Sequence, residues 1–241
     1  MDRVKFYANE ITNQSIRMGQ WMDWDNSYFT NSDENILSIW NFLKVCHEKG
    51  YIVRKNRPIA WCPRCGTSLS EHEMAGSYHD VTHTAIFAKF PVMMEDFKIL
   101  AWTTTPWTLS ANVALAVNPN LDYVKIVLTN SGERLVLGKD ALKVVKEDYK
   151  VLDTFKGEKL VGLHYETCFP ELPEQNFMHS VVAWDEVDAV EGSCVVHIAP
   201  GCGSEDFELG QKLGLPELCP IDDQGVMLEN KGFLKGKKTN D

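Results

Sequence analysis

Ala101-Trp102-Thr103-Thr104-Thr105-Pro106-Trp107-Thr108-Leu109 is the stretch on which the fold of this 241-residue chain turns. Lys98 to Trp102 reads as a short apolar strand. The threonines continue it, and Pro106, with a fixed φ and no amide hydrogen, stops it. Successive strand residues point to opposite faces, so Thr103, Thr104 and Thr105 cannot all face one side. A strand that ends in hydroxyls and free backbone amides suits recognition of a small polar ligand.

A second strand ending lies downstream, in Gly192-Ser193-Cys194-Val195-Val196-His197-Ile198-Ala199-Pro200. The chain then passes Gly201 and Gly203 and enters a helix expected over Ser204 to Gly214, with Glu205 and Asp206 in its first turn. A carboxylate there is favoured by the helix dipole and is expected to be exposed and ionised. Taken alone, His197 in a Val- and Ile-rich strand reads as an ordinary core histidine.

Further strands are expected at Val81 to Phe90, Val113 to Val117, Tyr123 to Leu128, Arg134 to Leu137 and Val181 to Trp184, separated by turn-forming segments such as Asn118-Pro119-Asn120. A helix is expected near Asp140 to Glu147. Many short strands and few helices imply an α+β chain with a barrel-like β core and peripheral helices. Before about residue 75 the pattern changes. Ile36, Ile39, Trp40, Leu43 and His47 recur at helical spacing, Ser32 can cap the start, and Gly50 can end it. Cys62-Pro63-Arg64-Cys65 then has the spacing of half a zinc knuckle, although no second Cys-x-x-Cys follows. With Cys168, Cys202 and Cys219 single, the alternative is a tight turn with two free thiols.

Composition bounds the function. The chain is 44% hydrophobic and 24% charged, enough for one sizeable core and a smaller module. No apolar run approaches the roughly 18 residues needed to cross a bilayer, no signal-peptide pattern opens the chain, and the cysteines do not suggest a secreted framework. A cytoplasmic protein with no membrane partner is expected. A net charge of −10 disfavours strong non-specific binding of nucleic acid, which needs clustered Lys and Arg. Lysines do cluster at Lys231, Lys235, Lys237 and Lys238, where solvated charge on an acidic protein is the favoured reading and contact with a nucleic acid or passage to a further part of the protein the alternatives.

The two strand endings together resemble the editing domain of the class I aminoacyl-tRNA synthetases for isoleucine, valine and leucine. Thr-Thr-Thr-Pro-Trp-Thr-Leu matches the isoleucine branch; the other branches usually carry an arginine before the proline and an acidic residue after it, where this chain has Thr105 and Trp107. The resemblance extends to Arg17-Met18-Gly19-Gln20-Trp21-Met22-Asp23-Trp24, to Trp61-Cys62-Pro63-Arg64-Cys65-Gly66 and to Asn112-Val113-Ala114-Leu115-Ala116-Val117-Asn118-Pro119, in the family's order. Cys202 departs from it, standing where the family often has an aromatic residue or histidine.

The resemblance implies a helical, zinc-knuckle-like connector over 1–76 and an editing domain over 77–241. The implied activity is hydrolysis of valyl-tRNA specific for isoleucine, with isoleucine excluded by size. Asp206, His197 and Thr105 are the implied catalytic residues; Thr103, Thr104, Thr105, Asn112, His197 and Asp206 are implied to bind substrate. Asp206 would hold the α-ammonium, and the threonines would border the amino acid and the terminal adenosine. The implied partners are the 3′ end of isoleucine tRNA, carrying valine or another small amino acid, and the remainder of the synthetase. Editing would need no cofactor; Cys62 and Cys65 could join a structural zinc only with ligands outside this chain. Neither His-Ile-Gly-His nor Lys-Met-Ser-Lys, the family's adenylate-site signatures, is present. Two alternatives remain from the residues: a non-catalytic tRNA-docking module, and a thiol hydrolase with Cys202 as nucleophile and His197 as base.

Overall fold

The computed structural model describes residues 2–189 and 192–239. Its packing divides the chain into two compact units, one up to Asn56 and one from Arg57 onward. The expected connector therefore spans this division, and the Cys62–Cys65 turn packs with the second unit.

The first unit consists of α1 (Asp2–Arg17) and α2 (Asp33–Glu48). The Ser32 side chain accepts a hydrogen bond from the Asn35 amide at 3.2 Å, and Asp33 and Glu34 meet the positive helix start. Gly50 follows the helix at φ +72°, a left-handed conformation that costs glycine nothing. Neither helix has a buried residue.

The second unit opens with a hairpin, β1 (Trp61–Cys62) and β2 (Thr67–Ser68), followed by a single turn α3 (Glu71–Met74). Trp61 Nε1 donates to the Asp223 carbonyl at 2.8 Å, tying the hairpin to the C-terminal segment. Then come β3 (Ile86–Pro91), β4 (Lys98–Thr103), β5 (Ala114–Val117), β6 (Asp122–Leu128), β7 (Arg134–Gly138), β8 (Tyr149–Lys156), β9 (His164–Tyr165), β10 (His179–Ala183), β11 (Val196–Ile198) and α4 (Ser204–Leu213). Among the described residues the nine strands from β3 to β11 form one sheet.

β4 is its branch point. β3 runs antiparallel along one edge; on the other, β7 pairs with Lys98 and Ile99, and β11 pairs with Trp102. From β11 the sheet continues through β5, β10 and β9. β9 then returns to the end of β3: Val92 bridges Tyr165, and Met93 N–H donates to the His164 carbonyl at 2.7 Å. The ring β3-β4-β11-β5-β10-β9 is the expected barrel-like core, and β7-β6-β8 extends from it. All four residues of β5 are buried. Leu115 and Val117 join a cluster with Phe90, Ile99 and Tyr123, whereas Ala114 and Ala116 join Ile198 and Leu209 of α4. Both faces of this strand are covered, so it lacks an apolar–polar alternation.

Three expectations change. The first long strand begins at Ile86 rather than Val81. The segment expected as a helix near Asp140 forms a 3₁₀ turn, Lys139–Val144. β8 was not anticipated, although Tyr149, Val151, Leu152 and Phe155 are strand-forming residues; most of its side chains are exposed, and its antiparallel pairing to β6 defines it. No helix among the described residues is long and apolar enough to cross a membrane.

Candidate functional site

β4 delivers Thr103 to the mouth of the sheet, and Pro106 starts a 3₁₀ turn over Pro106–Ala111. As the strand geometry requires, the three threonines separate: Thr103 is buried, while Thr104 and Thr105 are exposed. Thr103 Oγ1 accepts from the Thr105 amide at 3.1 Å, and the Thr103 and Thr105 hydroxyls lie 3.3 Å apart.

Thr108, which the sequence reading did not single out, links this segment to His197. Its hydroxyl donates to the Thr105 carbonyl at 2.7 Å and lies 2.8 Å from His197 Nε2. With the hydroxyl proton committed to the carbonyl, Nε2 must donate to Thr108, which leaves Nδ1 as the bare nitrogen. Nδ1 is buried and has no hydrogen-bond partner among the described residues. Burial drives the His197 pKa down to about 4, so the ring is neutral at neutral pH. The signal that could have found Thr108 is its place three residues after Thr105, one turn along the 3₁₀ segment.

Asp206 reaches the same strand end from α4. Its Oδ2 accepts from the Ala199 amide at 3.0 Å, while Oδ1 has no hydrogen-bond partner among the described residues. The expectation of an exposed carboxylate is corrected: Asp206 is half-buried. Burial raises its pKa above the ordinary value, with the Ala199 amide acting in the opposite direction. The turn that carries it is close-packed, because a Cβ on Gly201 would lie 2.1 Å from the Leu218 carbonyl oxygen. Only glycine allows that approach.

Asn112 is wholly buried and its side chain is spent on the protein. Nδ2 donates to the Ala114 carbonyl at 2.9 Å, and Oδ1 accepts from Tyr165 at 2.7 Å. It secures the end of the 3₁₀ turn. Gln175 supports the same turn by donating to the Ser110 carbonyl at 2.9 Å, and His179 Nε2 lies 2.7 Å from Gln175 Oε1.

A cleft of about 860 Å³ opens beside the threonines. Thr104, Thr105, Pro106 and Trp107 form one side; Thr82 to Thr84 and a C-terminal stretch including Phe233, Lys237 and Lys238 form the rest. Thr103, Asn112, His197 and Asp206 do not line it. Of the expected site residues, Thr104 and Thr105 thus lie on the cleft wall, Thr103, Asn112 and His197 are buried, and Asp206 is bonded to the amide of Ala199, two residues after His197. The C-terminal lysines also differ among themselves. Lys231 is buried and paired with Glu174, Lys235 is paired with Glu229, and Lys237 and Lys238 are among the residues that line the cleft.

Two other chemistries fare differently. Cys62 and Cys65 form a compact turn in which the Cys65 amide donates to Cys62 Sγ at 3.4 Å and holds the Cys62 thiol below its ordinary pKa. Among the described residues, no three His, Cys, Asp or Glu side chains gather to hold a metal, so those present do not complete a four-ligand zinc site. Burial pushes the Cys202 thiol up to about 12. A histidine near 4 is too weak a base to activate that thiol, and no hydrogen bond joins the two among the described residues.

A closed sheet with an open cleft beside its threonine turn makes up the second unit, and a pair of helices makes up the first. The chain belongs to the family of class I tRNA synthetases (I, L, M and V), whose model matches residues 2–207. It is 43% identical over 236 residues to an isoleucine–tRNA ligase of Pyrococcus furiosus, covering 92% of this chain and 22% of the relative. Against the isoleucine–tRNA ligase of Clostridium acetobutylicum it is 41% identical over 236 residues, covering 98% and 23%. The chain thus spans about a fifth of the length of these relatives. Among solved structures, the P. knowlesi cytosolic leucyl-tRNA synthetase editing domain superposes with a TM-score of 0.44 at 14% identity, covering 54% of this chain and 64% of that one.

Proposed function

We propose that the β unit is a post-transfer editing domain that hydrolyses valyl-tRNA specific for isoleucine. The observation that carries this reading is the Thr105–Thr108–His197 chain beside a half-buried Asp206 held on the same strand end. The ester of an aminoacyl-tRNA is already reactive, so hydrolysis requires mainly orientation of the amino acid, a placed water and stabilisation of developing charge. No strong nucleophile is needed. A carboxylate partly removed from water and bonded to one amide gains by meeting a cation, which suits Asp206 to the substrate's α-ammonium.

His197, buried and off the cleft wall, stays neutral and acts as a positioning group: its Nε2 holds the Thr108 hydroxyl, which in turn holds the Thr105 carbonyl. It is not a titrating base at neutral pH. Thr104 and Thr105 would present hydroxyls to the aminoacyl end. Isoleucyl-tRNA synthetase is itself the established illustration of why such a site is needed: one methylene gives only ~1–3 kcal/mol of discrimination in a binding pocket, so a second, smaller site removes the error. The partners on this reading are the 3′ end of isoleucine tRNA and the rest of the synthetase polypeptide.

The direct test is deacylation of valyl- and isoleucyl-tRNA specific for isoleucine by this chain and by a full-length relative. Rapid loss of valine with retention of isoleucine is expected in both. A full-length relative that edits while this folded chain does not, even at saturating tRNA, would count against chemistry residing in these residues.

A further inference from the structure

Two cysteines outside the Cys62–Cys65 turn meet across a close backbone contact. After β11 the chain turns through Pro200 and Gly201; after α4 it returns through Leu215 and Leu218, which pack on the cluster that holds Ile198 and Leu209. The return is tight. The Cβ that Gly201 lacks would lie 2.1 Å from the Leu218 carbonyl oxygen and 3.1 Å from the Cys219 amide nitrogen. Cys219 Sγ donates to the Gly201 carbonyl at 3.9 Å. That carbonyl is bonded to the Cys202 nitrogen, so the Cys219 sulfur rests against the peptide unit that carries Cys202.

The two thiols also feel one another. Burial, and after it the charges of Cys219 and Asp206, push the Cys202 thiol up to about 12, with Lys231 acting in the opposite direction. The remaining buried thiols of the β unit are placed differently: burial alone raises Cys168, and Cys194 Sγ donates to the Ala189 carbonyl at 3.0 Å. Cys219 is exposed and Cys202 half-buried, so an oxidant in solution meets Cys219 first. The backbone on both sides is held as well. Cys202 N–H donates to the Ala199 carbonyl at 2.8 Å, and beside Cys219 the Pro220 carbonyl accepts from Leu228 N–H at 3.0 Å.

We infer that Cys202 and Cys219 are a redox-active pair, which a small-molecule disulfide such as oxidised glutathione closes into one cystine that ties α4 and the Asp206 turn to the segment returning from them. Cys219, as the thiolate, attacks one sulfur of oxidised glutathione; a Cys219–glutathione bond forms, the glutathione S–S bond breaks, and the departing thiolate takes up a proton. Cys202 then gives its proton to solvent and attacks the Cys219 sulfur, expelling the second glutathione as a thiolate that is protonated in turn. Two protein thiols have lost two electrons, and one glutathione disulfide has become two thiols. The loop so closed contains all of α4, including Asp206. None of this depends on which ester the cleft receives.

The experiment is incubation of the folded chain with oxidised glutathione, quenching by alkylation and mapping of the linked peptides by mass spectrometry. Wild type is compared with Cys202→Ser and Cys219→Ser, with folding checked by circular dichroism. In wild type the Cys202–Cys219 cystine should exceed every other pairing outside Cys62–Cys65 by roughly tenfold or more, because packing raises the effective concentration of one thiol at the other. In Cys202→Ser the reaction should stop at glutathione on Cys219; in Cys219→Ser, Cys202 should stay reduced. The link should slow amide hydrogen exchange in α4 about tenfold, reversibly with dithiothreitol, since it restrains the helix at both ends.

A folded wild-type chain that carries glutathione on Cys219 without a link to Cys202, or that pairs either thiol preferentially with Cys168 or Cys194, would overturn the inference. So would a link that forms equally fast in urea, where the folded contact is gone, or one that leaves exchange in α4 unchanged.

Discussion

The two units of the chain use similar apolar side chains to opposite effect. In α2, Leu37, Trp40 and Phe42 are 65–68% exposed. In the β unit, Ile99, Leu115, Ile126 and Leu137 are wholly shielded from solvent. Helical periodicity and a good cap suffice to make α2, because each amide bonds within its own segment. A strand has no such autonomy. β4 and β5 exist only because partners from distant sequence surround them, and that enclosure also desolvates His197 and Asp206. Candidate chemistry thus resides in the unit that buries its side chains.

The largest effect expected of this contrast is on activity. Asp206→Ala should leave a folded chain but reduce valyl-tRNA hydrolysis by ~30-fold to several thousand-fold, the consequence of losing a charge pair of ~2–5 kcal/mol in the transition state. Single-turnover deacylation measures it, and near-normal hydrolysis would remove Asp206 from the site.

Stability should then distinguish the buried unit. Leu115→Ala, within the closed ring, should cost about 2–5 kcal/mol in urea unfolding, since the strand is enclosed on both faces and a cavity remains. A cost below 1 kcal/mol would show that the ring readily collapses.

The pH dependence comes next. His197 titrates near 4 in the folded chain and near 6.5 when unfolded, so the unfolded chain binds more protons between those values. Its contribution is therefore fully retained above pH 6.5 and is lost as pH falls toward 4, by about 3 kcal/mol in all. Asp206 acts in the opposite sense: its raised pKa adds stability below the ordinary carboxylate value, lost as pH rises through the folded one. Comparing unfolding at pH 7 and pH 5 in wild type and His197→Gln isolates the histidine, and an unchanged difference would refute its buried, neutral state.

The smallest effect belongs to the helical unit. Leu37→Ala in α2 should change stability by less than about 0.5 kcal/mol, because little apolar surface is re-exposed and helix propensity is scarcely altered. A loss several times larger would mean that the face is covered in solution.

Much of this organisation was legible in order along the chain. Ser32 and Gly50 bounded α2, glycine closed α4, and the apolar runs marked most core strands. The Thr-Thr-Thr-Pro turn revealed a site because local geometry forces its hydroxyls apart. β8 escaped notice because its apolar residues, Tyr149, Val151, Leu152 and Phe155, are mixed with polar ones on an edge strand that is mostly exposed. Asn112 was expected at a ligand, but its side chain lies in a buried network with Tyr165, a partner 53 residues away.

By itself, then, the sequence determined α2 and α4, most strands, the family and the threonine turn, all of which depend on neighbouring residues or on a shared motif. Only the tertiary structure decided that Thr108 meets His197 across 89 residues, that β9 returns to β3, and that Lys237 and Lys238 line the same cleft as Thr104 and Thr105. Those outcomes depend on strand pairing and desolvation. Both arise from which distant segments exclude water together, and no local pattern encodes that.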